Sequence, residues 1–238
     1  MIPIRDDTPR FSTPYITYFI IALNVAVFVF ELSVGGQSHG ALNALIYQFG
    51  VVPVHFERAI AGTSNASLPA LSLTILTSMF LHAGWLHIIG NMWFLWIFGD
   101  NIEDYIGHFP YLIFYLVAGC VAAVTQILLN VGSQIPIIGA SGAIAGVMGA
   151  YFVLYPRARV LTLVPLIIFF TFWWLPAWIF LGVWFVFQFL SGTATSIADT
   201  SHTSGGVAFW AHVGGFVTGI ALIKLLPERR GRTRYASW

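Results

Sequence analysis

The charged residues of this chain are few, and the gaps between them are long enough to cross a bilayer. Residues 11–30, 32–56, 59–99, 105–156, 160–198 and 200–223 contain no Asp, Glu, Lys or Arg. A helical span needs about 20 predominantly apolar residues. Only 8% of the 238 residues are charged and 58% are hydrophobic, whereas a soluble domain carries about 25% charge. So few charges could not cover the surface of a soluble globule. The same composition excludes a disordered chain, and a net charge of +1 excludes a basic nucleic-acid binder. The chain reads as an integral, multi-pass, all-α membrane protein.

The gaps resolve into six helices, over about 14–33, 84–100, 109–130, 141–156, 175–191 and 208–226. The 105–156 gap holds two of them, split by Asn130-Val131-Gly132-Ser133-Gln134. The 32–56 gap is interrupted by Gly35-Gly36-Gln37-Ser38-His39-Gly40 and reads as loop. Residues 160–174, apolar and rich in Phe and Trp, are expected to form a re-entrant or interfacial piece or an extension of the fifth helix. Arg5 and Arg10 precede the first helix, Arg157 and Arg159 follow the fourth, and four arginines follow the sixth. Six spans put all three groups on one side, and the positive-inside rule makes that side the cytoplasm. The expected organisation is a cytoplasmic tail over 1–13, a six-helix domain over 14–226 with an outer loop over about 35–70, and a basic cytoplasmic tail over 227–238. No cleavable signal peptide is expected. Cys120, the one cysteine, falls mid-helix and reads as a small buried hydrophobe.

Polar side chains at membrane depth are costly, so their positions are informative. His82, His87 and Asn91 lie at the start of the second helix, with His87 and Asn91 four apart and on one face. Ser141 sits in Gly139-Ala140-Ser141-Gly142, and His212 in Trp210-Ala211-His212-Val213-Gly214-Gly215. Ser141 precedes Arg157 by 16 residues, and His212 precedes Glu228 by 16. At about 1.5 Å per residue, both stand about 24 Å from their charged anchors and level with each other. Gly142, Gly146 and Gly149 on one helix, and Gly215 and Gly219 on the other, form small-residue faces that allow close helix approach.

That juxtaposition permits nucleophilic acyl transfer. A serine hydroxyl needs a base to take its proton, and His212 can act as base and later as acid. Residues 135–140 read as irregular backbone, so Ser141 opens its helix where N–H groups are free. His87 and Asn91 can add side-chain donors to an oxyanion hole. No carboxylate is expected at comparable depth, which makes the arrangement a dyad with no charged side chain. Each feature alone has a bland reading: glycine faces pack helices, and a membrane histidine often only hydrogen-bonds. The joint occurrence at one depth favours the catalytic reading.

In this order and spacing, His82-xxxx-His87-xxx-Asn91, Gly139-Ala140-Ser141-Gly142 and Ala211-His212-Val213-Gly214-Gly215 followed by Gly219 resemble the rhomboids, a family of six-helix intramembrane serine proteases. The resemblance runs from about Tyr15 to Leu226, and Gly50-Val51-Val52-Pro53 and residues 98–104 resemble the bacterial branch. It implies a serine endopeptidase with Ser141 as nucleophile and His212 as base. It implies an oxyanion hole of His87, Asn91 and the Ser141 N–H, with the Ala140 N–H as a further donor. His82 would line or support the cavity, flanked by Gly139 and Gly142, and Glu103 would be a structural hydrogen-bonding residue. The first loop would lie partly in the outer leaflet, and the fifth helix with the 192–206 loop would gate substrate entry. Substrates would be single-pass transmembrane proteins, and lipid and water from the outer face would be the other partners. No metal, nucleotide, nucleic acid or other cofactor is implied. The setting implied is a bacterial inner membrane.

Two departures stand out. Many family members carry an aromatic residue four positions after the serine, stacked on the catalytic histidine; here it is Ala145. The Trp-Arg pair found in the first loop of some members is also absent. Two other classes compete with the protease. An inactive relative that binds client helices would usually lack the serine or the histidine, and both are present. A small transporter or channel would show intramembrane charges or broken helices in related halves, which the sequence does not.

Overall fold

The computed structural model describes residues 1–166, 169–197 and 208–229. All six expected helices are present within it: α1 (Tyr15–Gln37), α5 (Trp85–Ile106), α6 (His108–Leu129), α7 (Ser141–Leu154), α8 (Ala177–Ile197) and α9 (Phe209–Ile223). Three of these, α1, α6 and α8, are individually long and apolar enough to cross a membrane. Residues 68–80 and α5 meet the same standard together, with an 83° bend between them, while α7 and α9 are shorter apolar helices. The expected basic tail from residue 230 and the expected gating loop from residue 198 lie outside the described residues.

Three corrections concern the segments between the helices. The stretch read as loop after α1 contains α2 (His39–Phe49) and α3 (Pro53–Ile60), followed by α4 (Leu68–Thr77) and a 3-10 turn over Ser78–Phe80. The start signals are local: Ser38 Oγ accepts the Ala41 N–H at 3.0 Å, Pro53 occupies the first turn of α3, and Ser67 Oγ accepts the Ala70 N–H at 3.4 Å. Glycine spacing marked these residues as irregular, but the caps start helices between the breaks.

The second correction concerns residues 160–174. They form neither a re-entrant piece nor an extension of α8, but a hairpin of β2 (Arg159–Leu166) and β3 (Phe169–Pro176), with Thr162 opposite Trp173. Pro165 and Pro176 explain this, since each would remove a backbone donor and clash inside a continued helix. Val160, Thr162 and Val164 alternate as a strand requires, and Val160 and Thr162 are fully buried. The first tail is also structured. Its strand β1 (Ile2–Asp6) pairs antiparallel with β2, placing Asp6 opposite Val160. The fold is therefore all-α apart from one three-stranded sheet, ordered β1-β2-β3.

The third correction concerns the end of α5. It runs six residues past the expected boundary, so Glu103 and Asp104 are helical and buried. Glu103 accepts the N–H groups of Ile16 (2.9 Å) and Thr17 (2.7 Å) and the Thr17 hydroxyl (2.7 Å). It thereby satisfies orphan donors at the N-terminus of α1 and places a negative charge at the positive end of that helix. His108 Nδ1 stands 2.6 Å from the same carboxylate. Asp104 accepts from Ser12 Oγ at 2.5 Å, and the Arg229 N–H donates to the Tyr105 carbonyl at 2.7 Å. Both ends of the described chain thus dock on the end of α5.

The core centres on α7, in which every residue from Gly142 to Tyr151 is buried. It packs against α5, α6 and α9, and at the sheet end the Tyr151 hydroxyl donates to Asp6 at 2.5 Å. Asp6 is titrated upward from the ordinary carboxyl range by burial, partly offset by the hydroxyl bonds from Tyr151 and Thr8. Removing the Glu103 carboxylate leaves three donors on α1 without their acceptor. Glu103→Ala is expected to cost about 3–5 kcal/mol of stability. Thermal unfolding in detergent checks this; an unchanged midpoint would show that the carboxylate does not hold α1.

Candidate active site

Ser141 is the first residue of α7, and the backbone before it is irregular, as its sequence predicts. Gly139 sits at φ +120°, a conformation that side chains oppose. Two other elements hold the segment in place. Val51 and Ile137 exchange both backbone hydrogen bonds, at 3.1 and 2.7 Å, and the Gly139 N–H donates to the Ser78 carbonyl at 2.8 Å. α7 is short: 14 residues rise only about 21 Å, against a hydrocarbon core of about 30 Å. A helix of that length anchored at the sheet end begins below the opposite membrane face. A small cavity lined by Ser78, Gly139, Ser141, Gly142 and Ala211 opens beside Ser141.

Glycines bring α9 against α7. A Cβ at Gly215 would collide with the Gly142 carbonyl oxygen, one at Gly219 with that of Gly146, and one at Gly149 with that of Phe216. On the flank of α7 facing α6, Cβ atoms at Gly142 and Gly146 would stand 2.7 and 2.5 Å from those of Ala122 and Ala118. Such backbone contact carries His212 to Ser141, with His212 Nε2 lying 2.8 Å from Ser141 Oγ. His212 is buried, at 7% exposure. Gln126 accepts the Ala211 N–H at 2.9 Å and fixes the height of α9 against α6. Asn24 donates to the Ile20 carbonyl of its own helix, and its Oδ1 is unpaired.

The residues that hold the His212 ring come from α8 and carry no sequence signal of that role. Gln188 Oε1 lies 2.7 Å from His212 Nδ1, and the Trp184 ring packs 5.7 Å from the imidazole at an interplanar angle of 37°. Trp184 takes the place left by Ala145, which is fully buried within α7. Position 188 lies 24 residues before the histidine, so no local spacing connects them.

His87 and Asn91 reach the same site from α5. A Cβ at Gly139 would stand 2.7 Å from His87 Nε2 and 3.5 Å from Asn91 Nδ2, which places both side chains two residues from Ser141. The His87 Nδ1 accepts the Ala83 N–H at 3.3 Å, so a neutral ring carries its proton on Nε2 and presents it on the Gly139 side. Asn91 Nδ2 is buried and makes no hydrogen bond. A buried donor without a partner at a reactive site is available for charge that develops during reaction. Ala140 is buried and caps α7, and the first N–H groups of that helix have no partner within it.

His82 packs its ring 5.1 Å from that of His87 and donates from Nδ1 to the Phe80 carbonyl at 3.2 Å. Its N–H donates to both oxygens of Glu31, at 3.2 and 3.1 Å. Glu31 is a buried carboxylate on α1, two side chains from the oxyanion candidates, which corrects the expectation that no carboxylate lies at this depth. In the sequence it is the single charge interrupting a long apolar run. Neither carboxylate oxygen meets a nitrogen of the His212 ring, whose two positions are taken by Ser141 and Gln188. Cys120 is half-buried rather than buried.

The helix contact gives a direct check. Gly219→Ala is expected to force α9 away from α7 and to cost about 1–3 kcal/mol. Gly90→Ala on α5, where a Cβ would meet nothing within 4 Å, is expected to be neutral or mildly stabilising. Equal unfolding midpoints for the two variants would show that the α7–α9 approach is not tight.

Known proteins share this arrangement of sequence. Residues 71–229 match the Rhomboid domain family. The chain is 31% identical over 189 residues to the rat (Rattus norvegicus) presenilin-associated rhomboid-like protein, mitochondrial, covering 76% of this chain and 45% of that protein. It is 28% identical over 166 residues to the RHOMBOID-like protein 6, mitochondrial, of Arabidopsis thaliana, covering 61% and 52%. It is 27% identical over 173 residues to the Rhomboid protein 1, mitochondrial, of Saccharomyces cerevisiae, covering 69% and 46%. The chain thus spans about half the length of the curated relatives it matches. All three relatives are named as mitochondrial, which overturns the expected bacterial inner membrane and, with it, the assignment of the termini to a bacterial cytoplasm. The match to the family domain over two thirds of the sequence, together with the 31% identity, makes this chain a member of the rhomboid family.

Proposed function

We propose that the protein is an intramembrane serine endopeptidase that cleaves transmembrane segments by a Ser141–His212 dyad. The observation that carries the reading is the 2.8 Å contact between Ser141 Oγ and His212 Nε2, made between two apolar helices. All six long helices act as spans in this reading, with α7 and α9 shortened because the site is reached by water from one face. The family is generally one of intramembrane serine proteases, in agreement with the chemistry available here.

Ser141 attacks the carbonyl carbon of the scissile bond and gives its proton to His212 Nε2. The oxyanion of the tetrahedral intermediate accepts from the Ser141 N–H, the His87 Nε2–H and the unpaired Asn91 amide, with Ala140 completing the turn. His212 returns the proton to the leaving amine, and the acyl-enzyme is hydrolysed by water entering beside Gly139 and Ser141. Every proton is handled by a group of this chain or by water. The substrate is a single-pass transmembrane protein whose helix unwinds at the cavity mouth, because the small cavity beside Ser141 cannot take in a whole helix. Small residues at the cleavage site follow from the same narrowness.

Wild-type protein in detergent or nanodiscs is expected to label with a fluorophosphonate and to cleave a transmembrane reporter. Ser141→Ala is expected to do neither, and His212→Ala to lose turnover. Asn91→Ala is expected to slow cleavage by about 10²–10³-fold as a lost oxyanion donor. A wild-type protein that neither labels nor cleaves while holding client helices would replace this reading with a client-binding role.

A further inference from the structure

The stretch of α8 from Ala177 to Leu190 is apolar on nearly every side, and it carries one conspicuous exception. Between Ala177 and Leu190 the only amide, hydroxyl or charged side chain is Gln188. Its neighbours Val186, Phe187, Phe189 and Leu190 are exposed to the surroundings of the bundle. An amide on such a helix costs free energy unless a partner inside the bundle takes it. The partner is the ring of His212, at 2.7 Å. Trp184, four residues earlier and so on the same face, packs on the same ring.

The atoms decide what the contact does. A neutral imidazole carries its proton on one nitrogen only. Gln188 presents Oε1, an acceptor, to Nδ1, so the proton belongs on Nδ1 and is donated to the amide oxygen. Nε2 then holds the lone pair and faces the Ser141 hydroxyl at 2.8 Å. In the other tautomer two lone pairs would face each other at Nδ1, and Nε2 could not accept the serine proton. We infer that Gln188 is a positioning residue that fixes the productive tautomer and orientation of His212, and that Trp184 confines the ring from the same helix. The inference rests on the protease reading for its effect on rate, though the tautomer itself does not depend on it. Since both holding groups belong to α8, His212 is set as a base only while α8 is seated against α9. The seat is aromatic, with the Phe185 ring stacked 4.8 Å from that of Phe216.

The surroundings offer no competing partner for Nδ1 among the described residues. α6 turns Gln126 toward the start of α9, where its oxygen is taken by the Ala211 N–H, and α7 contributes Ser141 on the opposite nitrogen. His87 on α5 is the other titratable side chain that acts on His212, and its Nδ1 is occupied by the Ala83 N–H.

Gln188→Leu keeps the volume and removes the acceptor; Gln188→Glu keeps an acceptor oxygen at the same reach. Gln188→Leu is expected to lower kcat about tenfold or more, short of the full 10²–10⁴-fold contribution of a general base. Gln188→Glu is expected to recover most of it, with reporter KM little changed in both. Nitrogen-15 NMR of histidine-labelled protein, with His212→Asn to assign the signal, is expected to show an Nδ1-protonated ring in wild type and Gln188→Glu, and a mixture of tautomers in Gln188→Leu. Wild-type kcat in Gln188→Leu, no recovery in a Gln188→Glu variant of unchanged melting temperature, or one unaltered His212 tautomer throughout would overturn the assignment. If wild type cleaves nothing, the protease reading falls, and the nitrogen spectra still decide whether Gln188 sets the ring.

Discussion

The site exists because α7 and α9 approach until their backbones touch, and every functional distance inherits that approach. Hydrophobic burial does little to join helices in a lipid environment, since lipid is as apolar as their side chains. The joining must come from packing density and from polar contacts that have no better partner. Both occur here on one seam. Gly142, Gly146 and Gly149 of α7 leave room for Gly215, Phe216 and Gly219 of α9 at the level of carbonyl oxygens. Gln126 then pins α9 lengthwise by accepting the Ala211 N–H. With sliding and separation both restricted, two short side chains, Ser141 and His212, can meet at 2.8 Å. Bulkier residues along the seam would widen the gap beyond the reach of a serine hydroxyl.

The second dependence is on an interruption. A helix that crossed the full hydrocarbon core would satisfy all its backbone groups internally and leave no N–H for an oxyanion. α7 stops short, and the chain above it is irregular, which is tolerable at this depth only if protein supplies its hydrogen bonds. Val51 and Ser78 supply them. The segment between α1 and α5 therefore has a structural duty: it delivers Val51 to Ile137 and Ser78 to Gly139. The positive φ of Gly139 turns the chain into α7 under the side chains of His87 and Asn91, where a Cβ would not fit. The proposed nucleophile, the first amides of α7 and the side-chain donors thus converge for one reason.

How legible this was in the sequence follows from the range of each interaction. Helix positions were readable because long charge-free runs mark them, although Glu31, Glu103 and Asp104 lie inside helices, and the level of Ser141 with His212 followed from counting to Arg157 and Glu228. The glycine faces were readable from their four-residue spacing. The sheet was not, because an apolar run bounded by charges looks the same as strand or helix until Pro165 and Pro176 are weighed against helix continuation. The helices between residues 39 and 77 were hidden by glycines that read as breaks. Gln188 and Glu31 were missed for a different reason. Their partners lie 24 and 51 residues away, at distances set by helix packing and not by any periodicity.

Those two residues also explain the electrostatic character of the site. A carboxylate against Nδ1 would orient the histidine more firmly and stabilise its charged form, as in soluble triads. At this depth it would have to be buried without a cation, at several kcal/mol. Among the described residues the one nearby carboxylate, Glu31, is kept on the backbone N–H of His82 and away from the His212 ring. An uncharged amide at Nδ1 secures the same tautomer with far less desolvation. In the proposed mechanism the cost is weaker stabilisation of the imidazolium that would form as Ser141 attacks. In the proposed reaction more of the transition-state charge must then be met on the oxyanion side, where the Asn91 amide nitrogen stands without a partner beside His87 and the first amides of α7.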